Sequence, residues 1–148
     1  MNGRATAIFY ARLALGAAFL SAVAARFGLW FDRGPHPFAE FIRYTGEVNS
    51  FLPPAMYPFL AVAATAAETL IGIALIAGFR LRQTARGAAI LLAIFGTAMA
   101  LSAGIKSPLD ASVFSASACA WLLAQSFAGA ASTPKSRAKI AESTKNAS

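Results

Sequence analysis

The feature that most constrains this chain is where its charges are missing. Four apolar stretches, at about residues 5–27, 54–78, 85–103 and 108–128, reach the length of about 20 helical residues that crosses a bilayer hydrocarbon core. A backbone in hydrocarbon must satisfy its own N–H and C=O groups, so such stretches read as helices. The expected fold is therefore all-α: a polytopic membrane protein whose four transmembrane helices form an antiparallel bundle. Composition supports this, since 57% of the 148 residues are hydrophobic and 13% are charged, where a soluble domain carries about 25% charged residues. Residues 1–131 are expected to form the membrane domain and 132–148 a disordered polar cytoplasmic tail.

Positions of the bases set an expected orientation. Arg4, the loop with Arg80, Arg82 and Arg86, and the tail with Lys135, Arg137, Lys139 and Lys145 fall on one side, against Arg26, Arg33, Arg43 and Lys106 on the other. An eight-to-four bias places both termini in the cytoplasm. The net charge of +7 flanks spans and fills the tail, without the aromatic-interleaved stripe of a nucleic-acid interface. The expected partners are thus the lipid bilayer and no nucleic acid, with oligomeric state left open. Ala22-Val23-Ala24 also resembles a signal-peptide cleavage site behind an apolar run. Residues 1–24 therefore read either as the first span or as a cleaved leader.

Between the first two spans, Phe38, Phe41, Ile42, Val48 and Leu52 recur near helical spacing, and Glu40, Arg43 and Glu47 share the other side. This pattern predicts a short amphipathic helix at the external interface. Gly46 weakens it, so the helix depends on packing against the bundle. It serves either as a cap or as a docking or ligand-gating element. Proline at 53 and 54 suits the first turn of the second span, and Gly78 suits its stop. At the fourth span, Ser107 reads as a cap, Pro108 as the first helical residue and Asp110 as the capping-box acid. Lys106, Ser107 and Asp110 are equally a candidate external-edge site.

Small residues recur four apart at Ala14/Ala18/Ala22, Ala63/Ala67 and Gly96/Ala100/Gly104, a spacing that lets membrane helices approach closely. Ser115 and Cys119 are expected on the bundle-facing side of the fourth span. Trp30 and Tyr57 read as interfacial anchors.

Several chemistries are excluded for the single chain. Cys119 is the only cysteine, so no intramolecular disulfide or CxxC relay exists. His36 is the only histidine, which rules out haem held between two helix-borne histidines, and no metal site is expected. An autonomous enzyme is therefore not the expected reading. What remains is Arg12 and Glu68. Arg12 lies about 12 Å inside its span and Glu68 about 16 Å from the same face, by the rise per residue. Arginine keeps its proton and needs a partner at this depth. Glu68 is the one acid placed within a span, so elimination predicts an Arg12–Glu68 pair. The pair would either pin two helices in register or form a polar site beside an apolar cleft, suited to a quinone carbonyl or to proton movement.

At Arg12-Leu-Ala-Leu-Gly16, Glu68-Thr-Leu-Ile-Gly72, Gly78-Phe-Arg80 and Lys106-Ser-Pro-Leu-Asp110-Ala-Ser, the chain resembles the DoxX family. The resemblance covers nearly all of residues 8–127. It implies a four-span bundle in the bacterial inner membrane. It also implies either a subunit linked to thiosulfate:quinone oxidoreductase or a member of an oxidative-stress assembly. Ser21 to Arg26 departs from the histidine or lysine found there in many members. The expected function is an accessory or quinone-interacting membrane subunit of a redox or oxidative-stress system, with a partner redox subunit and quinone as the possible cofactor. The competing class is a non-redox carrier or scaffold for a small molecule or partner protein.

Overall fold

A computed structural model describes residues 2–30 and 36–127, all of whose regular structure is helical. Residues 31–35, Arg33 among them, and residues 128–148, with the polar tail, lie outside the described residues, and so do the expectations made for them. The elements are α1 (Gly3–Arg26), α2 (Pro37–Val48), a 3-10 turn (Pro54–Met56), α3 (Tyr57–Ala77), α4 (Leu81–Ala103), α5 (Lys106–Asp110) and α6 (Val113–Ser126). Three helical stretches, Gly3–Arg26, Pro54–Ala77 and Leu81–Ala103, are long and apolar enough to cross a membrane. The protein is thus a helical membrane protein. Its outward residues agree, since Phe59, Leu70, Ile73, Ile90, Ile94, Leu101 and Leu122 are all exposed, which suits a lipid solvent.

Where the long helices stop follows from backbone chemistry. Gly78 ends α3 in the left-handed region at φ 79°. There its N–H and that of Phe79 donate back to the Ala74 carbonyl, the latter at 2.9 Å. Glycine adopts this conformation without a Cβ penalty. Arg80 also has positive φ, so the turn reverses within a few residues and α4 runs back along α3. Two arginines of α1 tie down other helix ends. Arg12 donates from Nη2 to the Ile76 carbonyl in the last turn of α3 (3.2 Å), and Arg4 donates to the Ser126 carbonyl that ends α6 (2.8 Å). Both place a cation against the negative end of a helix dipole.

The fourth apolar stretch is not one helix. Ser107 does not cap, α5 begins at Lys106, and Asp110 accepts a hydrogen bond from Lys106 instead of closing a capping box. The backbone then breaks at Ser112, whose φ is 55°, before α6 starts at Val113. The expected continuous helix from 108 is therefore corrected to two pieces. The 14 residues of α6 rise about 21 Å, less than the ~30 Å core. Ser115 is exposed rather than bundle-facing, and its neighbour Ser117 instead donates to the Ala89 carbonyl of α4 at 2.8 Å.

The most extensive interfaces are α1 on α3 and α4 on α6, so the bundle is two helix pairs laid side by side. Glycines set both. A Cβ on Gly16 would sit 2.7 Å from Ile76 and 3.0 Å from the Gly72 carbonyl oxygen, and one on Gly72 would meet Leu20 at 2.9 Å. Gly96 similarly receives the Phe114 ring, 2.7 Å from where a Cβ would be. Close approach of this kind supplies the dispersion contact that holds helices together in lipid. The dense core gathers toward the Arg12 end: Leu15, Phe19, Leu75, Ala85, Ala88, Ala89, Ala120, Leu123 and Ala124.

Candidate functional site

Helices α1 and α3 are antiparallel, and the contact of Gly16 with Gly72 puts Arg12 level with Ile76. By that register Leu20 is level with Glu68. A helical side chain leaves its Cα tilted toward its own N-terminus. On α1 that direction leads away from Glu68 for Arg12, and toward it for Arg26. On α3, Glu68 tilts toward Arg26. The expected Arg12–Glu68 pair is accordingly replaced by Arg26–Glu68, with Arg26 Nη2 2.7 Å from Glu68 Oε1. Arg12 is spent on the Ile76 carbonyl and also lies over the Phe9 ring, 5.3 Å from its centroid.

Two further groups fix Arg26. Its Nη1 donates to Thr65 Oγ1 at 3.0 Å, and Thr65 itself donates to the Ala61 carbonyl one turn earlier. Its guanidinium lies 3.8 Å from the centroid of the Phe41 ring, which belongs to α2. A cation over an aromatic face in a partly dry setting gains of order 1–2 kcal/mol. The side chains of Arg26 and Glu68 are 11% and 3% exposed. Glu68 Oε1 is thus paired, while no described protein group donates to the buried Oε2.

The same helix α2 covers this end of the bundle. Phe38 stacks on Phe27 at 5.8 Å between centroids, and Phe41 follows one turn on. Gly46 lies against Tyr57, whose ring would sit 2.6 Å from any Cβ at that position. Tyr57 donates to the Leu52 carbonyl at 3.0 Å, and Ser102 of α4 donates to the Val48 carbonyl at 2.9 Å. The glycine that weakens α2 as an isolated helix is thus what lets it dock. Its outer face carries Arg43 between Glu40 and Glu47, both at 2.6 Å and all well exposed. Hydrogen bonding to Glu40, together with the charge of both acids, holds the Arg43 guanidinium above its ordinary value.

Beneath α2 lies a half-open cleft of about 600 Å³. Its walls are Leu15, Ala18, Phe19 and Ala22 of α1, Leu60, Ala63, Ala64 and Ala67 of α3, and Leu91, Leu92, Ile94, Phe95, Ala98 and Met99 of α4. Ala111, Val113 and Ala116 close it from the broken fourth stretch, and Phe41, Tyr44, Thr45, Val48 and Asn49 roof it. The small residues Ala18, Ala22, Ala63 and Ala67 leave the space that forms the cleft. Arg26 and Glu68 supply the charged part of an otherwise apolar wall. Lys106, Ser107 and Asp110 are not among the lining residues; Lys106 and Asp110 pair in the open, with side chains 84% and 64% exposed.

Sequence reasoning missed Arg26 as Glu68's partner because it compared depths of Cα atoms. The signal that finds it is the direction of the side chains, which is fixed once the two helices are known to be antiparallel. No group of three or more metal-ligating side chains occurs among the described residues. No protein-family model, curated protein or solved structure matches the chain.

Proposed function

We propose that this is a DoxX-like inner-membrane protein that binds a lipophilic small molecule of the quinone class as the accessory membrane subunit of a redox or oxidative-stress system. The observation that carries this reading is the Arg26–Glu68 pair set in the wall of an apolar cleft. Ligand sites of small molecules are typically apolar clefts of about 300–1,000 Å³ with a few fixed polar groups. An ionisable pair inside a membrane helix bundle marks a functional site more often than a passive one. Arginine at the wall donates to a carbonyl, the carboxylate accepts from a hydroxyl, and the alanines leave room for a ring and the first part of a tail. The chain's own residues bind and orient; electron transfer belongs to a partner redox subunit.

In this reading the chain crosses the membrane four times with both termini cytoplasmic, as the basic residues favour. The fourth crossing is α5 and α6 together, their break at Ser112 opening the external half where the cleft lies. The sequence resemblance to DoxX proteins supports the same arrangement. Purified protein in nanodiscs should bind decylubiquinone saturably, and Ala67→Phe, which fills the cleft, should weaken that binding at least about tenfold, the loss of roughly 1.4 kcal/mol. No saturable binding, or binding indifferent to Ala67→Phe, overturns the assignment. Flux of a solute through liposomes containing the protein alone would favour the carrier class instead.

A further inference from the structure

Within the cleft, the two oxygens of Glu68 are not equivalent. Oε1 is held by Arg26 at 2.7 Å, and the side chain is only 3% exposed. Oε2 is fully buried and has no donor among the described protein groups. A carboxylate in an ion pair is an acceptor only, and a buried acceptor left unmade costs more than an average hydrogen bond contributes. Both terminal nitrogens of the guanidinium, by contrast, already have an acceptor, Thr65 Oγ1 for Nη1 and Glu68 Oε1 for Nη2, and its face lies over the Phe41 ring. Between the two side chains, the buried atom left wholly without a partner is therefore an acceptor, and it asks for a donor.

From this we infer that the cleft selects a lipophile whose polar end is a hydroxyl, donated to Glu68 Oε2, over the same molecule ending in a carbonyl or an ether. The inference rests on the proposed ligand-binding reading and sharpens it: among quinone-type ligands, the reduced hydroxyl form is held more tightly. Phenolic and aliphatic hydroxyls share the chemistry. A phenol adds stacking against the aromatic roof, where Phe41 and Tyr44 line the space. A lipid alcohol has only the apolar wall.

The test compares nonylphenol with its methyl ether, and dodecanol with its methyl ether, for binding to the intact protein in nanodiscs. Each ether keeps the apolar body and removes one donor. In the phenol series the ether should bind about 10- to 100-fold more weakly, the worth of one hydrogen bond to a charged acceptor. A preference in the dodecanol series of equal size would identify the hydroxyl as a lipid alcohol's and still support the donor requirement. In the Arg26→Leu, Glu68→Leu double variant, checked for helicity and monodispersity, the preference should vanish while ether binding persists. Equal binding of hydroxyl and ether in both series of the unaltered protein overturns the inference and leaves the cleft as a ligand site. Failure of all four probes and of decylubiquinone overturns the cleft reading itself, and the inference with it.

Discussion

Two arginines leave the same helix toward the same neighbour, and they meet different fates. In the N-terminal half of α1, Arg12 donates to the Ile76 carbonyl in the last turn of α3 and lies beside a dense core of leucine, phenylalanine and alanine. Near the other end, Arg26 meets a carboxylate, a threonine and an aromatic ring beside a cleft of about 600 Å³. The first arrangement closes a helix end and fills space. The second brings charge to the edge of unfilled space and leaves one carboxylate oxygen without a protein donor. Arginine in a membrane helix is therefore not one kind of residue. What it does depends on whether its side chain tilts toward the bundle middle or away from it.

The largest expected effect breaks the cleft end. Arg26→Leu strands the Glu68 carboxylate and should destabilise the protein by about 3–5 kcal/mol, the usual cost of removing one member of a buried pair. Adding Glu68→Leu should restore much of that loss. Thermal or denaturant unfolding in bicelles measures the cycle, and a coupling of at least about 1 kcal/mol is expected, near the upper part of the range for membrane hydrogen bonds. Additive losses would show that the pair does not form.

A like-for-like substitution sharpens the contrast in packing. Ala88 is fully buried in the dense core, whereas Ala67 lines the cleft. Ala88→Leu should cost about 1–3 kcal/mol through overpacking, while Ala67→Leu should cost under about 1 kcal/mol because the added atoms enter empty space. Equal costs, read from the same unfolding assay, would mean that the cleft is closed in the membrane.

The smallest effect is expected at the other arginine. Arg12→Leu removes an exposed hydrogen bond to the Ile76 carbonyl and should cost about 1 kcal/mol. Combined with Glu68→Leu it should be additive. Coupling of Arg12 with Glu68 above about 0.5 kcal/mol would return the carboxylate to Arg12 and contradict the arrangement at Arg26.

Much of the scaffold was legible in the residues. The apolar lengths and the stop at Gly78 give helices whose ends agree with α1, α3 and α4 to within a few residues. The alternation of Phe38, Phe41 and Ile42 with Glu40, Arg43 and Glu47 gives α2 its wet and dry sides, since such faces follow from the 3.6-residue repeat. The break at Ser112 was not legible. Ser107, Pro108 and Asp110 read there as the start of one helix, and a single residue of positive φ leaves no trace in hydropathy.

From its residues alone, this chain must bury its backbone in helices, Glu68 must find a cation, and Gly96 permits close approach. Local composition suffices for each, because hydrogen bonding in hydrocarbon and the cost of a lone charge depend on residue type and depth. Only the tertiary structure decided which cation Glu68 takes and where space is left over. Both depend on the register of α1 against α3 and on the direction of each side chain from its own helix. Those are relations between segments about 40 residues apart, which no local pattern encodes. The antiparallel pairing turns Arg12 outward to a helix end, turns Arg26 inward to the carboxylate, and leaves the alanines of four helices facing an opening that none of them would form alone.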